Sequence, residues 1–222
     1  MTPLSANEPL RVSVFDYGAG NLHSLVKALE TPMTLVRVER DPARAVLDTD
    51  ALVLPGVGAF APAATQLAPG RSAMRDAILG GLPCLGICLG MQLLFDASDE
   101  GPGLGLGVFA GRVTRLRSQH VPQIGWNSLD DVNDDMVCAA DLAVAYFANS
   151  FVCRPGPDAL PQVGAWSEHE SDRFPAVIRS RLTVGTQFHP EKSSAPGVRF
   201  VHAFLRAAAQ RRDATRPALE TR

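Results

Sequence analysis

Leu82-Pro83-Cys84-Leu85-Gly86-Ile87-Cys88-Leu89-Gly90-Met91-Gln92-Leu93-Leu94-Phe95 is the stretch that decides how this chain folds. Leu82 to Ile87 is an apolar run with the length of a buried strand, and Leu89 to Phe95 reads as the start of a helix. Cys88 therefore falls at a strand-to-helix turn. Gly86 and Gly90 remove side chains where strand and helix crowd together, as in a G-x-S-x-G nucleophile elbow with sulfur in place of oxygen. The unpaired N–H groups and positive dipole end of the helix favour a thiolate, the form of cysteine that attacks carbonyl carbon. The N–H of Leu89 is placed to meet an oxyanion. The competing reading is a buried, inert thiol, and that is the expectation for Cys84, Cys138 and Cys153.

Upstream of this stretch, strand and helix alternate. Arg11 to Asp16 reads as a strand, Gly20 to Glu30 as a helix and Thr34 to Glu39 as a strand. A short helix at Ala43 to Leu47 precedes a strand at Ala51 to Leu54. A helical region follows from Ala61 to Leu79, broken near Pro69-Gly70. That order predicts an α/β fold with a central, mostly parallel sheet flanked by helices. From Val108 onward short strands dominate: Val108 to Leu116, Ile124 to Leu129, Ala143 to Phe147, Val163 to Ser167, Ala176 to Arg179 and Leu182 to Phe188. They predict additional antiparallel strands in the C-terminal half, closed by a helix at Gly197 to Ala209. The expected organisation is one domain over residues 11–209, a flexible N-terminal extension over 1–10 and a mobile, charged tail over 210–222. Asp130, Asp131, Asp134 and Asp135 lack the spacing of a calcium loop and read as a solvated turn.

Two further segments carry chemistry. Gln187-Phe188-His189-Pro190-Glu191 ends the last strand. Pro190 stiffens the backbone and biases His189 toward an extended conformation. Glu191 is then set to hold one imidazole nitrogen and leave the other facing a nucleophile. The plainer reading is a surface His and Glu beside a loop proline. Pro55-Gly56-Val57-Gly58-Ala59-Phe60 follows the Ala51 to Leu54 strand. Its glycines permit backbone orientations that can point an N–H toward an oxyanion, or simply make an ordinary strand-to-helix turn. Gly18-Ala19-Gly20 opens a helix but has His23 where a dinucleotide fingerprint needs its third glycine.

These segments together resemble the class I (triad) glutamine amidotransferases, over about Arg11 to Ala208. The carriers are Phe15-Asp16-Tyr17-Gly18-Ala19-Gly20-Asn21, Leu54 to Phe60, Gly86 to Gln92, Pro122-Gln123-Ile124-Gly125-Trp126-Asn127 and Gln187 to Ser193. The resemblance implies a single-domain class I glutamine amidotransferase-like fold and a glutaminase. Cys88, His189 and Glu191 would be catalytic. Gly56, Val57 and Leu89 would form the oxyanion hole, and Gly58, Gln92, Ser150 and Phe151 would bind glutamine. It further implies no cofactor, no metal, and a heterodimer in which ammonia passes to a separate cyclase subunit with a (β/α)8 barrel. The interface candidates are Asn21, Trp126, Asn127, Tyr146 and Lys192. The chain departs from the pattern at Asn149, where the family usually has histidine; asparagine keeps hydrogen bonding but cannot carry charge.

Bulk properties agree. A chain of 222 residues, 46% hydrophobic and 20% charged, can bury one sizeable α/β core. A net charge of −2 gives no reason to expect nucleic acid or an anionic membrane as partner. Four cysteines make no disulfide scaffold. No apolar run approaches the roughly 20 residues that span a bilayer. The polar start lacks the core of a signal peptide, so the expected location is the cytoplasm.

Overall fold

The structure is a computed structural model that describes residues 8–18 and 22–215. Its first half alternates as expected. β1 (Leu10–Phe15), α1 (His23–Leu29), β2 (Thr34–Glu39) and β3 (Ala51–Leu54) precede α2 (Phe60–Leu67) and α3 (Arg71–Leu79). A 3-10 turn at Ala68–Gly70 separates the last two. β4 (Cys84–Ile87) and α4 (Leu89–Leu93) make the strand–turn–helix. The second half comprises β5 (Ala97–Ser98), β6 (Gly111–Arg115), β7 (Gln123–Ser128), α5 (Asp135–Ala140), β8 (Val144–Asn149) and β9 (Phe151–Pro155). It ends with β10 (Val163–His169), β11 (Asp172–Ser180), β12 (Thr183–Thr186) and α6 (Ser194–Thr215).

A seven-stranded sheet runs in the order β10-β11-β12-β4-β3-β1-β2. The pairs from β2 across to β12 are parallel, and β11 and β10 extend the β12 side as antiparallel strands. β3 and β4 are buried at every position, because each faces helices on both sides. Their side chains alternate between two cores. Ala51, Val53, Leu85 and Ile87 point to a layer with Leu25 of α1 and Phe200 and Phe204 of α6. Leu52, Leu54 and Cys84 point to one with Phe60 and Leu67 of α2 and Met74 and Ile78 of α3. In register, Gly86 stands between Leu54 and Gly185. The carboxyl ends of β3, β4 and β12 thus lie side by side, the position where open α/β sheets put their chemistry. A three-stranded sheet (β5-β6-β9) and the β7–β8 ribbon are built beside this frame.

Three expectations are corrected. Residues 210–215 are not tail: α6 runs to Thr215, because Arg212 folds back to donate to the Glu8 carbonyl at 3.0 Å. Leu10 belongs to β1 rather than to an N-terminal extension. The acidic cluster is not simply a solvated turn, and it hides the unforeseen α5. Asp134 is 2% exposed and caps that helix, accepting from the N–H groups of Met136 (2.8 Å) and Val137 (3.2 Å). Arg179 Nε stands 2.6 Å from the other oxygen, close enough for an ion pair but without hydrogen-bond alignment. Asp134→Ala removes the cap and the nearer carboxylate of Arg179, leaving its guanidinium only the exposed Asp135 at 3.7 Å. Urea unfolding should show a loss of about 3 kcal/mol, with Asp134→Asn losing less because it keeps the cap acceptor. Equal stability of Asp134→Ala and wild type would remove this role.

Candidate active site

Cys88 is the hinge between β4 and α4, with φ +46° and ψ −103°. A non-glycine residue here is strained, and such strain gathers at sites where function fixes the backbone. The turn is pinned from both sides: the Cys88 N–H donates to Thr186 O at 2.6 Å, and its carbonyl accepts from Gln92 N at 3.0 Å. Two glycines make the geometry possible. A Cβ on Gly90 would lie 2.0 Å from Leu54 O, and one on Gly86 would lie 2.7 Å from Gly90 O. α4 therefore presses directly on the sheet and holds the sulfur at its edge.

His189 follows β12 and is 2% exposed. Its Nδ1 lies 2.8 Å from Glu191 Oε1, which leaves the other nitrogen for Cys88. Burial alone would push the imidazole pKa down. Hydrogen bonds to Cys88 and Glu191, with their negative charge, outweigh that and raise it from 6.5 to about 9. The backbone is fixed too: His189 N–H donates to Tyr146 O at 2.8 Å, and Ser193 Oγ donates to His189 O at 2.7 Å. Cys88, His189 and Glu191 are thus brought together across about a hundred residues of sequence.

Gly56 joins them. A Cβ there would sit 2.8 Å from His189 Cε1 and 3.1 Å from Cys88 Cβ, so only glycine lets this loop lie against the pair. Val57 and Gly58 continue the loop, Gly58 with φ +108°. The Tyr17 hydroxyl donates a short hydrogen bond to Pro55 O and anchors the loop's base. Leu89 opens α4, and its N–H belongs to the first-turn amides that find no carbonyl within the helix.

The glutamine-binding candidates are partly brought together. Gln92 is buried and donates to Phe151 O at 3.0 Å, and Asn149 donates to the same carbonyl at 3.2 Å. Ser150 lies between Asn149 and Phe151, and its carbonyl accepts from Leu116 N at 2.9 Å. Gly58 is exposed on the opposite loop. Among the interface candidates, Trp126 is 54% exposed and meets Tyr146 edge-on across the β7–β8 ribbon. Lys192 Nζ lies 6.0 Å from the centre of the Tyr146 ring. Asn127 is turned to its own chain, donating to Glu168 O at 2.7 Å. Asn21 lies outside the described residues.

Sequence reasoning missed Tyr17 as the loop's anchor and Gln187, whose side chain reaches the sulfur (Nε2 to Sγ, 3.5 Å). Tyr17 carries no sequence signal beyond its motif. Gln187 does: it is a polar residue in an otherwise buried strand end. Cys84 and Cys153 are buried, and burial pushes both thiols up, so they are inert. Cys138 is exposed, contrary to expectation, because α5 buries Met136, Val137 and Ala140 and turns Cys138 outward. A cleft of about 460 Å³ lined by Gly81, Leu82, Arg181, Thr183 and Arg211 lies at the other end of β4 and β12 and includes none of these groups. Among the described residues no cluster of His, Cys, Asp or Glu is suited to a metal ion, and no helix is long and apolar enough to cross a membrane.

Residues 13–207 match the family model of glutamine amidotransferase class-I. Imidazole glycerol phosphate synthase subunit HisH of Gloeothece citriformis is 39% identical over 202 residues, covering 87% of this chain and 94% of its own. The subunit of that name in Halobacterium salinarum is 40% identical over 204 residues, covering 87% and 92%. Among solved structures, PurLQS from Thermotoga maritima superposes with a TM-score of 0.63 at 19% identity, over 89% of this chain and 98% of that chain. A structure described as glutamine amidotransferase gives 0.66 at 20% identity, over 89% and 98%. These two likenesses show a shared fold.

Proposed function

This chain belongs to the class-I glutamine amidotransferase family, and from that premise we infer that it is the glutaminase subunit of an imidazole glycerol phosphate synthase in histidine biosynthesis. Glutamine is hydrolysed to glutamate and ammonia, and the ammonia is used by a cyclase subunit with a (β/α)8 barrel. The cyclase combines it with a phosphoribulosyl formimino carboxamide ribonucleotide, giving imidazole glycerol phosphate and an aminoimidazole carboxamide ribonucleotide. The observation that best supports these residue roles is a buried imidazole held by Glu191 at 2.8 Å, packed with Cys88 against Gly56 at a strained elbow, its pKa raised by both partners.

The chemistry follows from that arrangement. The Cys88 thiolate adds to the side-chain carboxamide carbon of glutamine. The developing oxyanion is met by the Leu89 N–H and by an N–H of the Gly56-Val57 peptide once that peptide turns inward. The His189 imidazolium gives its proton to the departing ammonia, leaving a glutamyl thioester. Neutral His189 then takes a proton from water as the water attacks the thioester. Glutamate leaves and the thiolate–imidazolium pair is restored. Glu191 keeps the ring oriented throughout. A reduced Cys88 is required at every turnover, which favours the cytoplasm.

Cys88 is only 6% exposed and His189 2%, so the pair opens narrowly to solvent, and a partner that turns the Gly56-Val57 peptide inward would act as the trigger. The feature that favours a docked partner as the trigger is the β7–β8 ribbon. Ile124, Trp126 and Val144 are 68%, 54% and 47% exposed on its outer face, an apolar display of the kind that marks an interface. The same ribbon holds the site from behind, through Tyr146 O on His189 and Ala148 O at 4.0 Å from the Cys88 sulfur. The deciding experiment measures ammonia release from glutamine with and without the cognate cyclase and its nucleotide ligand. Stimulation of roughly tenfold or more is expected. Absence of release with the cyclase present, or stimulation only by a different acceptor synthase, overturns the reading. Trp126→Ala should weaken cyclase binding roughly tenfold or more in a calorimetric titration while leaving the melting temperature of the isolated chain within a few degrees. Unchanged affinity would take Trp126 out of the interface.

A further inference from the structure

Gln187 ends the run that leads from β12 into His189. Its backbone N–H donates to Ala176 O at 2.9 Å on β11, so the residue is strapped to the sheet. Its side chain is fully buried, and Nε2 lies 3.5 Å from Cys88 Sγ, a normal length for an N–H···S hydrogen bond. The amide oxygen, Oε1, is buried with no hydrogen-bond partner among the described residues. Leaving a buried carbonyl unpartnered is destabilising, and a structural glutamine would be expected to satisfy its acceptor first. Here the amide is instead spent on the sulfur.

We propose that Gln187 is a further catalytic residue, one whose amide N–H holds the Cys88 sulfur as a thiolate before attack and receives it again when the thioester breaks. The direction of the amide carries the chemistry. A thiolate is acceptor-only and selects the N–H face, whereas an oxygen facing it would repel it. The titratable groups that face the sulfur are His189 beyond β12, Tyr17 on the loop after β1 and Cys153 on β9. Burial pushes the last two well up, so both stay neutral in the working range. Among the described residues Gln187 is the side-chain donor within hydrogen-bond distance of the sulfur, and its dipole is permanent, whereas the proton that His189 carries moves during turnover. When His189 gives its proton to ammonia the sulfur is held in the neutral thioester; the Gln187 dipole acts on it before attack and again as the thiolate leaves. The division gives the site a fixed stabiliser beside a mobile one.

This rests on Cys88 being the nucleophile, and the test separates the two ideas. The full chain is alkylated with iodoacetamide across a pH series, and labelling of the Cys88 peptide is followed by mass spectrometry, which sets aside the exposed Cys138. Gln187→Met keeps the volume and removes the donor. Its Cys88 labelling profile should move up by roughly one pH unit, with about tenfold slower labelling on the low-pH limb where the thiol is mostly protonated. Gln187→Glu keeps the shape, replaces the donor with negative charge, and should move the profile further; it serves where Gln187→Met does not fold. In complex with the cyclase, Gln187→Met should lower kcat for glutamine with little change in KM. A labelling profile identical to wild type in a folded Gln187 variant overturns the role of Gln187 alone. Undiminished glutaminase activity in Cys88→Ala overturns both ideas together.

Discussion

Cys88→Ala abolishes glutamine-dependent synthesis by the complex, with a fall of roughly four orders of magnitude in kcat, while synthesis from added ammonia continues. The size follows from what is removed: a nucleophile has no substitute in its site, and loss of one member of such a set leaves only the background supplied by binding and oxyanion contacts. Retention of ammonia-dependent synthesis is the control, since it shows that the variant still folds and that its partner still works. Glutamine use at more than about a hundredth of the wild-type rate would defeat the assignment of Cys88. The same variant has a second readout. His189 holds its proton to about pH 9 because Cys88 and Glu191 both bond to it. Without the sulfur, burial is opposed by Glu191 alone, and the imidazole resonance should titrate at lower pH by NMR. The sign for stability follows. A folded imidazole whose pKa is raised above 6.5 stabilises the protein fully below about pH 6.5, and this contribution is lost as pH rises toward 9. Urea midpoints should therefore decline across that window in the wild type and decline less in Cys88→Ala.

The second large effect divides two glycines that look alike in sequence. Gly90→Ala would put a methyl 2.0 Å from the Leu54 carbonyl oxygen, backbone against backbone, with α4 unable to retreat because its other side packs in the core. Overpacking of this kind costs about 3 kcal/mol or more, so the melting temperature should fall by several degrees or the protein should fail to fold. Gly56→Ala meets softer neighbours, the His189 ring at 2.8 Å and Cys88 Cβ at 3.1 Å, on a partly exposed loop. Its melting temperature should stay near wild type while glutaminase activity drops a hundredfold or more, because the methyl displaces the base from the sulfur. Near-normal stability of Gly90→Ala, or near-normal turnover of Gly56→Ala, would contradict the close approaches on which these roles depend.

How much of this was legible in the chain depended on whether a residue's role is local. The elbow was readable because Gly86 and Gly90 sit beside the cysteine they serve, and the central strands were readable because β3 and β4 are apolar at every position. The His189–Glu191 pair was readable because Pro190 stiffens a two-residue spacing. Roles set by distant partners were not. Asp134 reads as one of several acidic residues until Arg179 and α5 are in place. Arg212 reads as part of a charged tail until it finds the Glu8 carbonyl. β9 carries no clear strand signal because Asn149-Ser150 and Pro155 punctuate it, and only its pairing with β6 makes it a strand. Gln187 stands at the head of the His-Pro-Glu segment, yet its target is a sulfur 99 positions earlier in the chain.

The order of strands has a consequence for how the enzyme comes into being. Cys88 is delivered by β4, but the base arrives with β12, which reaches β4 only after the intervening strands have been made. Synthesis proceeds from the N-terminus, and early segments fold first. A nascent chain halted before β12 would carry the elbow without His189, Glu191 or Gln187. Its thiol would lack the base, the carboxylate that orients the base and the amide donor, so it could not turn over an amide. The topology thus acts as a timer, withholding reactivity until the last strand of the sheet is seated.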